Sequence, residues 1–238
     1  MDISLIILIS ALILLAICLG IANTASSSFM RKYKKYSGMM LNTSFTAGDF
    51  ALRLVNDSGY RGLKVARTDK ELEDAFSSKY NTIILSNETI ESYSIAGYAT
   101  VAHEFGHAVQ HNSGKISYKF LKLLKIISAL FGRFSFPLII VGLILMLLSI
   151  EKDLGQVLCI AGGVIFVLSL LTQLLTIPIE FDASNIGLKK IREYNLLEGK
   201  EYKMAKRFLK SAGRTYVASF LCTILAWTFL VPRQKRHI

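Results

Sequence analysis

With 238 residues, 52% of them hydrophobic, and a mean hydropathy of +0.44, the chain is more apolar than a water-soluble domain; soluble chains run at about 45–50% even with glycine counted. The net charge of +11 would suit a nucleic-acid binder, but no nucleic-acid motif accompanies it and the cations cluster beside apolar runs, as they do at membrane surfaces. Cys18, Cys159 and Cys222 all lie in apolar runs without CxxC spacing, which excludes a disulfide framework or a cysteine metal cluster.

Met1 to Ile21 carries a single charge, Asp2, and roughly 20 such residues cross a hydrocarbon core about 30 Å thick. It lacks the basic start and short core of a cleaved signal, so it reads as an anchor. Arg31, Lys32, Lys34 and Lys35 follow, after a Ser-rich stretch from Thr24 to Ser28 that predicts a flexible link. Residues 42–56 carry a helical pattern, with Thr46 able to cap it and Asn56-Asp57-Ser58-Gly59 ending it in turn chemistry. Leu63 to Ala66 and Thr82 to Leu85 predict short strands.

Ser92 to Gln110 places Ile95, Tyr98, Ala99, Ala102, Phe105 and Val109 at helical spacing, and Asn112-Ser113-Gly114 supplies a stop. Residues 116–134 interleave Lys119, Lys122 and Lys125, with Lys115 just before, among Ile116, Phe120, Leu123, Leu124, Ile127 and Leu130. That pattern fits a basic amphipathic helix on a membrane surface, or equally an ordinary packing helix. Phe136 to Ile150 and Leu154 to Ile177 are a second and a third apolar run, separated by the charged hinge Glu151-Lys152-Asp153. Lys189 to Lys210 is again basic, and Thr215 to Val231 is a fourth run of borderline length.

The chemistry centres on His103-Glu104-Phe105-Gly106-His107. Residues i and i+4 share one helix face, so both imidazoles can reach one zinc ion while Glu104 can take a proton from a water there. Zinc lowers the pKa of such a water from 15.7 towards about 7. A catalytic zinc needs a third protein ligand and one open position. His111 cannot serve on a continuous helix, where it lies about 12 Å along the axis from His103, and it reads as a surface or substrate-side residue. His237 sits in a basic tail. Ile177-Pro178-Ile179-Glu180-Phe181-Asp182-Ala183-Ser184 places two carboxylates beside a span, where an unpaired charge is costly. Two residues apart on a helix, they cannot face one point; one can ligate while the other supports it or faces away. The plainer alternative has Glu180 capping the next helix.

Val101-Ala102-His103-Glu104-Phe105-Gly106-His107-Ala108-Val109-Gln110-His111, Pro178 to Ser184 and Thr215-Tyr216-Val217-Ala218-Ser219, with a hydrophobic hairpin between the first two, resemble the YugP-like neutral zinc metallopeptidases of membranes. The second motif is also similar to the E-F/Y-x-A-D of HtpX-like and prenyl-protein endopeptidases. That resemblance implies that Glu180 is the third zinc ligand and that Ser184 stands where those enzymes carry a supporting aspartate. Where the YugP-like pattern has L-T-D-H-Y-D-P, Leu72 to Ser78 keeps Asp74 and loses the histidine, the second aspartate and the proline. Tyr216 reads either as an interfacial anchor or as an oxyanion donor.

The fold expected is mainly α: a multi-span membrane protein with a helical HExxH zinc-peptidase core and a small β element on the cytoplasmic side. Its parts would be an anchor at 1–23, a zincin-like region at 24–135, a transmembrane hairpin at 136–177, a helical region with the third ligand at 178–214, and a hydrophobic segment with a basic tail at 215–238. Basic flanks on both sides of the hairpin put the site in the cytoplasm, at the plasma (inner) membrane of a prokaryote. Arg233, Lys235 and Arg236 run against this rule if the fourth run crosses, and a re-entrant or short run would reconcile them. The expected activity is hydrolysis of peptide bonds in membrane or membrane-proximal proteins. His103, His107 and Glu180 would hold one zinc per chain, and Glu104 would be the general base; Asp182, Ser184, His111 and Tyr216 would support the site or face substrate. Its partners would be the lipid bilayer and a polypeptide, with no nucleic acid. The rival reading is a non-catalytic membrane scaffold or regulator that retains a zinc site.

Overall fold

The computed structural model describes residues 3–70, 73–114 and 116–230. Met1, Asp2, Leu72, Lys115, the basic tail and His237 therefore lie outside the described residues. The protein is mainly helical, with one three-stranded sheet. It divides into two units: the described residues up to 114 together with those from Pro178 onward, and residues Ile116–Ile177.

In the first unit, α1 (Ile3–Ser37) continues through the Ser-rich stretch expected to be a flexible link. The hydroxyls there are taken up along the helix: Thr24 Oγ1 donates to the Gly20 carbonyl at 2.7 Å, and Ser28 Oγ accepts from Lys32 Nζ at 3.0 Å. α2 (Ala47–Asp57) starts later than its pattern because Thr46 forms a capping box with Asp49, satisfying a backbone donor at each of the two positions. Ser58 closes it and Gly59 turns the chain at φ 69°.

β1 (Lys64–Thr68) pairs in parallel with β3 (Thr82–Ser86), and β2 (Ala75–Ser77) pairs antiparallel with β3 on its other side, giving the order β1-β3-β2. The two expected strands are present, each running on to a further residue or two. β2 was not expected, because Ala-Phe-Ser is too short for alternation to show. Ile83 and Leu85 of β3 are fully buried. A short α3 (Asn87–Ile90) leads into α4 (Ile95–Asn112), capped by Ser94, whose Oγ accepts from Gly97 N at 3.1 Å. α4 buries Tyr98, Val101, Ala102 and Phe105 on one side, against a core that includes Phe50, Leu54, Ile191 and Phe208. α8 (Gly199–Leu230) runs beside α1, where Phe29 stacks on Phe208 with ring centroids 5.5 Å apart.

The second unit holds α5 (Ile116–Phe131), a 3₁₀ turn, α6 (Ser135–Leu147) and the first part of α7 (Lys152–Glu193). α6 and α7 form the expected hairpin around a turn that includes the hinge, with Ser149 at φ 54°. Small residues let the two backbones touch. A Cβ on Gly142 would lie 2.6 Å from the Gly155 carbonyl oxygen, and Ser135 Oγ donates to the Gly162 carbonyl at 3.0 Å.

Among the described residues, α7 is the helix long and apolar enough to cross a membrane. Residues 120–128 and 132–147 meet the same test only as a pair bent by 45°, so the described residues carry one candidate span, or two. α7 does not stop at Pro178 but continues to Glu193. Glu180 therefore lies within a helix and does not cap one.

Candidate metal centre

Two helices of the first unit build the site. α4 supplies His103, Glu104 and His107, and α7, beyond its apolar stretch, supplies Glu180. Close approach of the two backbones depends on a reciprocal pair of glycines. A Cβ on Gly106 would fall 2.8 Å from the Ala183 carbonyl carbon, and one on Gly187 would fall 2.6 Å from that of Ala102. Any side chain at either position would push the helices apart.

At that crossing His103 Nε2 lies 3.3 Å and His107 Nε2 3.5 Å from the same oxygen, Glu180 Oε2. The three ligand atoms all lie within 4.8 Å of one another, and among the described residues this is the group of histidine, cysteine and acidic side chains that could hold a metal ion. Two imidazole nitrogens and one carboxylate oxygen suit zinc and leave a fourth position open.

The far nitrogens of the imidazoles are held too. Gln110 Nε2 donates to the Ile179 carbonyl and to Asp182 Oδ2, both at 2.9 Å. Its Oε1 must then face His107 Nδ1, 3.0 Å away. An amide oxygen only accepts, so Nδ1 carries the proton and Nε2 keeps its lone pair for a metal. Ser184 Oγ lies 3.1 Å from His103 Nδ1, a neutral hydroxyl where the resemblance implied a supporting aspartate. Asp182 accepts from Gln110 and is not one of the three residues of the metal-binding group. Gln110 had been given no role; its position three residues after His107, on the same helix face, was the available signal.

Glu104 is buried beside the two histidines and accepts a hydrogen bond from the Phe76 backbone N–H at 2.7 Å, on the outer edge of β2. Asp74 holds that edge in place by accepting from Ser86 N and Thr89 Oγ1, each at 2.8 Å. Burial raises the Glu104 pKa, and although the imidazoles and the Phe76 N–H oppose it, the net shift is upward. Burial would also raise that of Glu180, but the two imidazoles, which in the metal-free chain can carry a second proton on Nε2 and donate it to this carboxylate, outweigh burial and hold it well below the usual range. The Tyr216 hydroxyl, on α8, meets Glu180; burial and then the charges of Glu180 and Glu104 raise its pKa. The His111 ring lies 5.6 Å from that of Phe76 and is not part of the metal-binding group.

The raised Glu104 pKa has a measurable consequence. The protonated form contributes stability that is present below the ordinary value of 4.5 and is lost as pH rises through the higher folded value. In chelator-treated protein the Tm of wild type should therefore fall relative to that of Glu104→Gln as pH rises above 4.5, other groups titrating alike in both. A difference that stays constant with pH would contradict the raised pKa.

A mainly helical chain in which an HExxH helix and a buried glutamate converge on one point is a candidate metallohydrolase. The chain belongs to the family described as "Putative neutral zinc metallopeptidase", which matches residues 11–232. It is similar to the "Putative membrane protease YugP" of Bacillus subtilis (strain 168), at 26% identity over 211 residues that cover 87% of this chain and 88% of that one. No solved structure matches it.

Proposed function

We propose that the chain is a membrane-embedded, zinc-dependent endopeptidase that binds one zinc through His103, His107 and Glu180 and cleaves membrane or membrane-proximal polypeptides. The observation that carries this reading is the convergence of both Nε2 atoms on Glu180 with Glu104 buried alongside. A zinc ion bound there supplies a Lewis acid and an acidified water. Glu104 accepts the proton of the attacking water and returns it to the leaving amine. The Phe76 N–H fixes one carboxylate oxygen, leaving the other for that proton. Tyr216, beside Glu180, donates to the oxyanion that forms on the scissile carbonyl.

The bilayer placement is supported by α7 and by the small-residue packing of α6 against it. The basic residues flanking the hairpin support a site facing the cytoplasm, and the Bacillus subtilis relative supports the plasma membrane of a prokaryote. The scaffold reading is disfavoured because a structural site takes four protein ligands and has no use for Glu104.

Chelation tests the assignment. Detergent-purified chain should cleave an unfolded polypeptide, lose that activity when zinc is stripped, and regain it with one equivalent of zinc per chain. Cleavage that persists in zinc-free protein would overturn it.

A further inference from the structure

Between α1 and α8 runs a groove of about 570 Å³, remote in chemistry from the metal centre. Its walls change character along its length. Ile17, Ile21, Val217 and Leu221 line one end; Ser28 and Arg214 line the other. At the polar end Lys32 donates to Ser28 Oγ at 3.0 Å, which turns the ammonium towards the groove. Burial and then the nearby charge of Arg214 lower the Lys32 pKa, and neither cation pairs with a carboxylate among the described residues. Two like charges held together without a counter-ion are relieved by an anion placed between them. Arg214 stands directly before the apolar run of α8 that begins at Thr215, and Lys32 lies in the basic end of α1; cations that flank apolar runs attract lipid phosphates.

We propose that this groove binds one anionic phospholipid, with an acyl chain along Ile17, Ile21, Val217 and Leu221 and the phosphate against Lys32 and Arg214. The volume falls within the range of about 300–1,000 Å³ typical of small-ligand sites. An apolar trough ending in two cations complements a molecule that is apolar along its length and anionic at one end. A Cβ on Gly20, which also lines the trough, would have nothing within 4 Å, so the space is open on that wall. The inference rests on the bilayer placement proposed above and not on the zinc chemistry.

Native mass spectrometry of the detergent-solubilised full chain, with phosphatidylglycerol and phosphatidylcholine of matched chains, tests it. Wild type should bind one phosphatidylglycerol about 30-fold more tightly than phosphatidylcholine, since a cation near anionic lipid is worth about 1 kcal/mol and there are two. Lys32→Gln with Arg214→Gln should erase the preference and leave weak binding of both lipids; Gly20→Leu should fill the trough and weaken both. Equal binding of the two lipids by wild type overturns the inference even if neither variant folds, as does a preference that survives both variants. Binding of inorganic phosphate at the same affinity would reduce the site to an anion site and overturn the lipid assignment. A dimer that Gly20→Leu dissolves, without bound lipid, would give the groove to a second copy of the chain. Flotation with phosphatidylcholine vesicles separates the two levels: a chain that does not float removes the bilayer placement, whereas one that floats without headgroup preference sinks this inference alone.

Discussion

Glu104→Gln should keep its zinc and lose kcat/KM by on the order of 10³- to 10⁴-fold, within the span of effects attributed to a positioned acid–base group. The substitution is nearly isosteric. Its amide oxygen can still accept the Phe76 N–H that holds Glu104 at 2.7 Å, so the side chain should stay in place. What the amide cannot do is take a proton from water and deliver it to the departing amine. The loss should fall in kcat with KM little changed, because the group acts on the reacting atoms and not on the bound polypeptide. Steady-state kinetics on matched, zinc-analysed preparations check this. Activity within tenfold of wild type would remove Glu104 from the mechanism, and joint loss of zinc would mean that it acts on the metal site instead.

Gly106→Ala should damage the centre without touching a ligand. Its methyl carbon would lie 2.9 Å from Ala183 Cα and 2.8 Å from the Ala183 carbonyl carbon. Those are backbone atoms of the helix that carries Glu180, so no side chain can swing aside to make room. Overpacking of this kind typically costs about 1–3 kcal/mol. Moving α7 away also lengthens the 3.3 and 3.5 Å separations between Glu180 Oε2 and the imidazoles. The expected result is a lower Tm together with zinc affinity reduced at least tenfold, read by thermal unfolding and by competition with a chelator. Gly163→Ala is the matched control, since a Cβ there has nothing within 4 Å and helical alanine is favoured over glycine by roughly 0.5–1 kcal/mol. Equal behaviour of the two variants would mean that the α4–α7 approach is looser than the structure has it.

Much of this arrangement was legible in the sequence because it is local. The i, i+4 spacing of His103 and His107, the Thr46 cap and the apolar run of α7 each follow from a few neighbouring residues. The pairing of Glu180 with the histidines was legible through the resemblance and not through the residues alone, since Glu180 and Asp182 were equally plausible by position. Three features were not legible. β2 forms only because β3 offers it a partner, and a three-residue strand has no pattern of its own. The bond from Phe76 to Glu104 spans 28 residues and uses backbone, which no residue type announces. The continuation of α7 through Pro178 runs against the usual helix-breaking effect of proline, and here packing overrides it: Ala183, Leu188 and Ile191 beyond that point are buried in the same unit as α4. The apolar runs were plain to see, and among the described residues α7 meets the length and composition of a span by itself. α5 and α6 meet the criterion only as a bent pair.

Zinc content per chain, measured by elemental analysis in detergent-purified wild type and in Glu180→Ala, tests the central claim most directly and needs no knowledge of the substrate. Two imidazoles and one carboxylate predict one zinc in wild type, and loss of the carboxylate predicts a chain that no longer retains it through purification. Full retention of zinc by Glu180→Ala, or a wild type that takes up none under metal-sparing conditions, would contradict the account.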